Sequence, residues 1–144
     1  MILREQWGAK APRWRTRHKK PVSTVFIHHG GTKLAGNSIE NESAALRAYQ
    51  RYHMNTRLWS DIAYSFAVGP RSGRVYELRG WNARPGATKG HNKDSYAIVV
   101  IGDTSKQAIS QDCVTAIREL IAAGQYSGRI VEDVVVRGHR DVKQ

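Results

Sequence analysis

Hydrophobic and polar positions alternate along this chain in seven runs whose periods predict its elements. Val22 to His28 is β-rich and wholly apolar at Val25, Phe26 and Ile27, the pattern of a central strand buried on both faces. It runs into His28, His29, Gly30 and Gly31, so the glycines stop the strand and leave the histidines at its carboxyl end, where open α/β sheets build their sites. Leu46, Tyr49 and His53 fall at i, i+3 and i+7 and predict an amphipathic helix from about Glu42 to Met54. Ile62 to Gly69 and Arg74 to Leu78 flank Pro70-Arg71-Ser72-Gly73, a turn sequence, and predict an antiparallel hairpin. Tyr96 to Ile101, closed by Gly102 and Asp103, predicts a second central strand.

Ser110 is placed to cap a helix with Asp112 in its first turn, and Cys113, Ile117, Leu120 and Ile121 carry one apolar stripe to Ala123, with Gly124 as the stop. A last strand, Val134 to Arg137, ends in Gly138 and His139. Two separate strands thus each deliver a histidine at the carboxyl end. The order strand, helix, hairpin, strand, helix, strand predicts an α/β fold in which a mixed central β-sheet is packed by helices.

With 144 residues the chain suits one domain, 1–144. No apolar run has the ~18 residues of a membrane span, and the basic N-terminus lacks the apolar stretch of a secretory signal, so no export address is expected. The charge does change the picture: 23 Lys and Arg stand against 12 Asp and Glu, and the resulting positive potential attracts polyanions. Arg13, Arg15, Arg17, His18, Lys19 and Lys20 crowd into one early stretch, which reads equally as a solvated loop or as a substrate-facing patch. No helix-turn-helix, zinc-finger or RNA-binding signature accompanies these residues, which sets nucleic acid aside. Cys113 is the sole cysteine, so an internal disulfide is excluded, and its place on the helical stripe makes it a core thiol.

Imidazole is the commonest zinc ligand, and catalytic zinc takes three protein ligands plus water. His28 and His139 could supply two. Residue types alone leave a metal site and two ordinary polar strand ends both open.

Five blocks add a further argument. They are Arg4-Glu5-Gln6-Trp7-Gly8-Ala9; Phe26-Ile27-His28-His29-Gly30; Asp61-Ile62-Ala63-Tyr64-Ser65-Phe66 running on to Gly73-Arg74-Val75-Tyr76-Glu77-Leu78-Arg79-Gly80-Trp81; Gly90-His91-Asn92-Lys93-Asp94-Ser95 leading to Ile101-Gly102-Asp103; and Gly138-His139-Arg140-Asp141-Val142. In this order they resemble the N-acetylmuramoyl-L-alanine amidase family, which includes phage lysozyme-type amidases and animal peptidoglycan recognition proteins. The resemblance implies a zinc hydrolase that cuts the lactyl to L-alanine amide of bacterial peptidoglycan, with His28 and His139 as zinc ligands and Tyr64 as the phenol facing the metal. A phenol there suits hydrogen bonding to the oxyanion, whereas without the match Tyr64 reads as a core aromatic. By the same comparison His29, Arg79, Trp81, His91 and Asn92 are groove residues; scaffold roles stay open for Trp81 and Asn92.

Two departures accompany the match. Gly86-Ala87-Thr88-Lys89 stands where many relatives have a further histidine, and the third zinc ligand of the family, usually Cys, would lie beyond Gln144. The C-terminal end is therefore expected to be truncated. The implied protein is a monomeric phage endolysin, made in the host bacterial cytoplasm and released to the wall, with peptidoglycan as its partner; the positive charge adds anionic wall polymers as expected partners. The alternative is a non-catalytic peptidoglycan-binding module of the same fold.

Overall fold

A computed structural model describes residues 1–138. Its sheet has five strands: β1 (Val22–His29), β2 (Phe66–Val68), β3 (Val75–Glu77), β4 (Ser95–Val100) and β5 (Ile130–Gly138), in the spatial order β3-β2-β4-β1-β5. β1 pairs in parallel with β4 on one side and with β5 on the other, β2 joins β4 in parallel, and β2 and β3 form the antiparallel hairpin. Burial on both faces follows from two helical layers. Tyr96, Ile98 and Val100 of β4 face α3 (Gln111–Tyr126), whereas Val99 packs with Leu46 on the side of α2 (Ile39–Arg51). A mixed sheet packed by helices was the expected class, and the hydrophobic runs supply it.

The boundaries moved for identifiable reasons. α2 starts at Ile39 because the Ser38 hydroxyl accepts the Asn41 N–H at 3.0 Å, and Glu40 and Glu42 then sit at the positive end of the helix. It runs on into a π-helical turn, Tyr52–Thr56, which turns His53 and Met54 into the core. Glu42 proves fully buried: its carboxylate accepts hydrogen bonds from the Tyr76 phenol at 2.6 Å and Ser72 Oγ at 2.7 Å, with Arg74 at 3.2 Å. The helix is thereby tied to the hairpin.

Gly124 does not end α3 but lies within it. A Cβ there would stand 2.5 Å from Ile130 Cδ1 and 2.9 Å from Trp81 Cη2, so the glycine is a close approach of helix to sheet. The short first helix, α1 (Arg4–Trp7), was not anticipated. It plants Trp7 fully buried, with the indole N–H donating to Glu77 O at 2.7 Å.

Candidate functional site

The carboxyl end of β1 opens into a cleft of about 660 Å³ lined by His28, His29, Tyr64 and Gly138, among others. Parallel pairing puts Ile27 opposite Gly138, so β1 and β5 bring their ends to the same wall. Successive strand residues point to opposite faces, which separates the two histidines. His28 is buried, with its ring centroid 5.3 Å from that of Tyr64 and its Nε2 3.5 Å from Thr88 Oγ1. His29 is half-exposed and turns its Nδ1 toward Asp103, 3.6 Å away.

Tyr64 stands on an irregular segment held by backbone bonds, among them Arg79 N to Tyr64 O at 3.1 Å and Gly86 N to Ala63 O at 2.7 Å, and by side chains. Arg79 donates from Nε to Ile62 O at 2.7 Å and from Nη1 to Arg84 O at 3.0 Å. The Ala63 N–H donates to His53 Nδ1 at 3.0 Å, so the proton of a neutral His53 ring sits on Nε2. Burial, reinforced by the positive charges of Arg79 and Arg57, pushes the His53 pKa down to about 4 and keeps the ring neutral. His53 also packs against Tyr64 and Trp59, with centroids 5.7 and 4.9 Å apart. For Tyr64, burial first and the Tyr49 phenol second push the pKa up to about 12, so its hydroxyl stays a hydrogen-bond donor at neutral pH. A second cavity of about 740 Å³, walled by Ala44 and Ala48 of α2 and by Tyr49 and His53, shares Tyr64 with the first.

The other residues singled out in the sequence divide. His91 is exposed and lies edge-on to Phe26 at 5.6 Å, near His28. Asn92 accepts the Thr88 N–H on its Oδ1 at 3.1 Å and so shapes the loop that presents Thr88. Arg79 has its guanidinium occupied by carbonyls. Trp81 packs on the α3 side beside Phe66 and Tyr96, at 4.6 and 5.0 Å, and is partly buried against the core there. His139 lies outside the described residues. Missed by sequence reasoning were His53, hidden in a helical apolar stripe, and Thr88, noted only for not being a histidine.

Among the described residues no three His, Cys, Asp or Glu gather as a metal-binding group. His28 fits one place in such a group: it is a buried imidazole at the edge of a cleft and faces a hydroxyl. Cys113 does not fit, since it is buried in the α3 core and burial pushes its pKa up to about 11. His53 has its Nδ1 engaged by the backbone.

The family model of N-acetylmuramoyl-L-alanine amidase matches residues 18–144. Peptidoglycan-recognition protein SC2 of Drosophila melanogaster is 31% identical over 145 residues, covering 99% of this chain and 76% of the relative. Peptidoglycan recognition protein 1 of Bos indicus is 32% identical over 146 residues, covering 100% and 75%. Among solved structures, peptidoglycan recognition protein-LE in complex with tracheal cytotoxin, a monomeric diaminopimelic acid-type peptidoglycan, superposes with TM-score 0.94 at 32% identity, covering 100% of this chain and 84% of that one. A tyrosine-to-phenylalanine mutant of Drosophila peptidoglycan-recognition protein LB, also bound to tracheal cytotoxin, gives TM-score 0.93 at 31% identity and covers 99% and 84%. The matched length, the shared sheet and the identity over essentially the whole chain place this protein in the N-acetylmuramoyl-L-alanine amidase family.

Proposed function

We propose that the chain is a zinc-dependent N-acetylmuramoyl-L-alanine amidase that hydrolyses the amide between the lactyl group of N-acetylmuramic acid and L-alanine in bacterial peptidoglycan. The observation that carries this reading is the Tyr64 phenol, kept protonated by burial and held beside His28 at the mouth of a cleft. His28 and His139 would hold zinc, which when bound supplies a Lewis acid for the scissile carbonyl and lowers the pKa of water to about 7. Tyr64 donates its hydrogen bond to the carbonyl oxygen as negative charge grows there. Thr88 Oγ1 steadies the His28 ring, and the alanine-walled second cavity offers room for a stem peptide. Relatives bound to tracheal cytotoxin support a peptidoglycan fragment as the ligand.

Within the family, a phage endolysin is the reading favoured by Cys113, whose burial as the only cysteine leaves no disulfide of the kind secreted immune relatives use. A non-catalytic peptidoglycan-binding module of the same fold is the second reading, favoured by relatives named as recognition proteins and solved in complex with tracheal cytotoxin. Zinc content and product analysis separate the two. The amidase reading expects bound zinc that falls sharply in His28→Ala but not in His29→Ala, and new L-alanine amino termini released from peptidoglycan. Peptidoglycan binding without either in the full-length protein would establish the module instead.

A further inference from the structure

Charge is distributed unevenly over the surface beside the cleft. Residues 10–20, 51–60 and 79–93 hold six, two and four Lys or Arg, about half of the 23 in the chain, and no Asp or Glu. The fold joins these three segments. Arg13 N donates to Ser60 O at 2.9 Å, its guanidinium to Met54 O at 2.8 Å and Trp59 O at 3.1 Å, and Arg84 N to Thr16 O at 2.7 Å. His18 packs edge-on to Tyr96 at 4.7 Å. The strap 10–20 is thus pinned at Arg13, Thr16 and His18, and Trp14, Arg15, Arg17, Lys19 and Lys20 project into solvent from a fixed backbone. Asp61, at the border of the second segment, is buried in an ion pair with Arg4 at 2.8 Å. The same segments reach the cleft, since Tyr52 and His53 line the second cavity and Thr88 faces His28.

We infer that this face docks a linear phosphate-diester polymer of the bacterial wall, so that the cleft is held against peptidoglycan carrying such chains. The choice of polymer rests on the peptidoglycan reading of the cleft; the polyanion-binding face does not. Three features favour a polymer. The cations are spread over a broad face and not gathered behind one apolar stripe, as interfacial helices require. The exposed apolar groups are few, Trp14 on one segment and Tyr52 and Leu58 on another. A cation array of this kind gains affinity from counterions released by a linear polyanion.

The test is cosedimentation of the full chain with wall fragments that carry, or have been stripped of, their phosphate-diester polymer, across a series of salt concentrations. Polymer-bearing wall should bind more tightly, and the triple variant Arg15→Gln, Arg17→Gln, Lys19→Gln should lose about tenfold or more. By analogy with other linear polyanions, its dependence of log K on log salt should flatten by about 2–3 units. A control triple away from the face, Arg71→Gln, Lys106→Gln, Arg118→Gln, should change neither by as much, and matched melting temperatures verify the fold. Equal losses in the two triples, equal binding to stripped wall, or tighter binding to anionic phospholipid vesicles than to polymer-bearing wall would overturn the inference. Release of L-alanine amino termini from stripped peptidoglycan reads the amidase proposal separately, and its absence would leave the docking result intact.

Discussion

Tyr64 and His53 act as a pair in which the phenol faces the cleft, while the imidazole accepts the backbone N–H one residue earlier and thereby fixes where the phenol stands. Tyr64→Phe removes only the hydroxyl, so fold and zinc should persist while turnover drops by about a hundredfold or more, as for other oxyanion donors; undiminished kcat would return Tyr64 to a packing role. At position 53 the test is one of acceptors. His53→Asn places an amide oxygen near the former Nδ1 and should retain most of the activity, whereas His53→Leu leaves the Ala63 N–H unpaired and should lower kcat more than it raises KM. Equal behaviour of the two variants would contradict the positioning role. His28 was legible in the sequence because a glycine pair cuts its strand short. His53 was not, because a helical stripe looks the same whether its histidine packs or bonds, and its partner comes from a stretch of chain ten residues on. Trp81 reads both ways in the sequence, since an aromatic after Gly80 suits a groove or a scaffold, and the closeness of α3 at Gly124 sets it against the α3-side core.

At the scale of elements, periodicity located every strand and both long helices, and it erred where a side chain redirects the backbone. α2 is the instructive case. Its predicted start, Glu42, is polar, yet it lies one turn before Leu46 on the same face and is the buried post to which the hairpin is tied. Glu42→Ala would strand the Tyr76 phenol, the Ser72 hydroxyl and the Arg74 guanidinium around a void and should cost about 3–5 kcal/mol, as breaking a buried charged pair does. Glu40→Ala, which removes a largely exposed partner of Arg47, should barely move the urea midpoint. Comparable losses in the two variants would show that the buried cluster is no anchor.

For the molecule as a whole, the buried histidines set an acid limit. An unfolded imidazole titrates near 6.5 and His53 in the fold at about 4, so between those values the unfolded chain binds more protons. The stability that His53 contributes is complete above pH 6.5 and is lost as pH falls toward 4, by roughly 2–3 kcal/mol once partial solvent screening is allowed for. His18, also held below its usual value by burial, acts in the same direction. Urea midpoints measured from pH 7 to 4 should therefore fall steeply in the wild type and less so in His53→Asn; parallel curves would place the acid sensitivity elsewhere.

The sheet order sets a timetable as well as a shape. β5 meets the sheet only through β1, pairing Phe26 with Arg137 and Ile27 with Gly138. Contacts between such distant parts of a chain form late, because the long intervening loop must first be closed. On the ribosome, β1 emerges early with His28 already in its sequence, while the strand that completes that wall of the cleft is the last of the five to be made. A nascent chain therefore carries His28 for most of its synthesis without the cleft wall that β5 supplies, and that wall comes into being only when β5 docks.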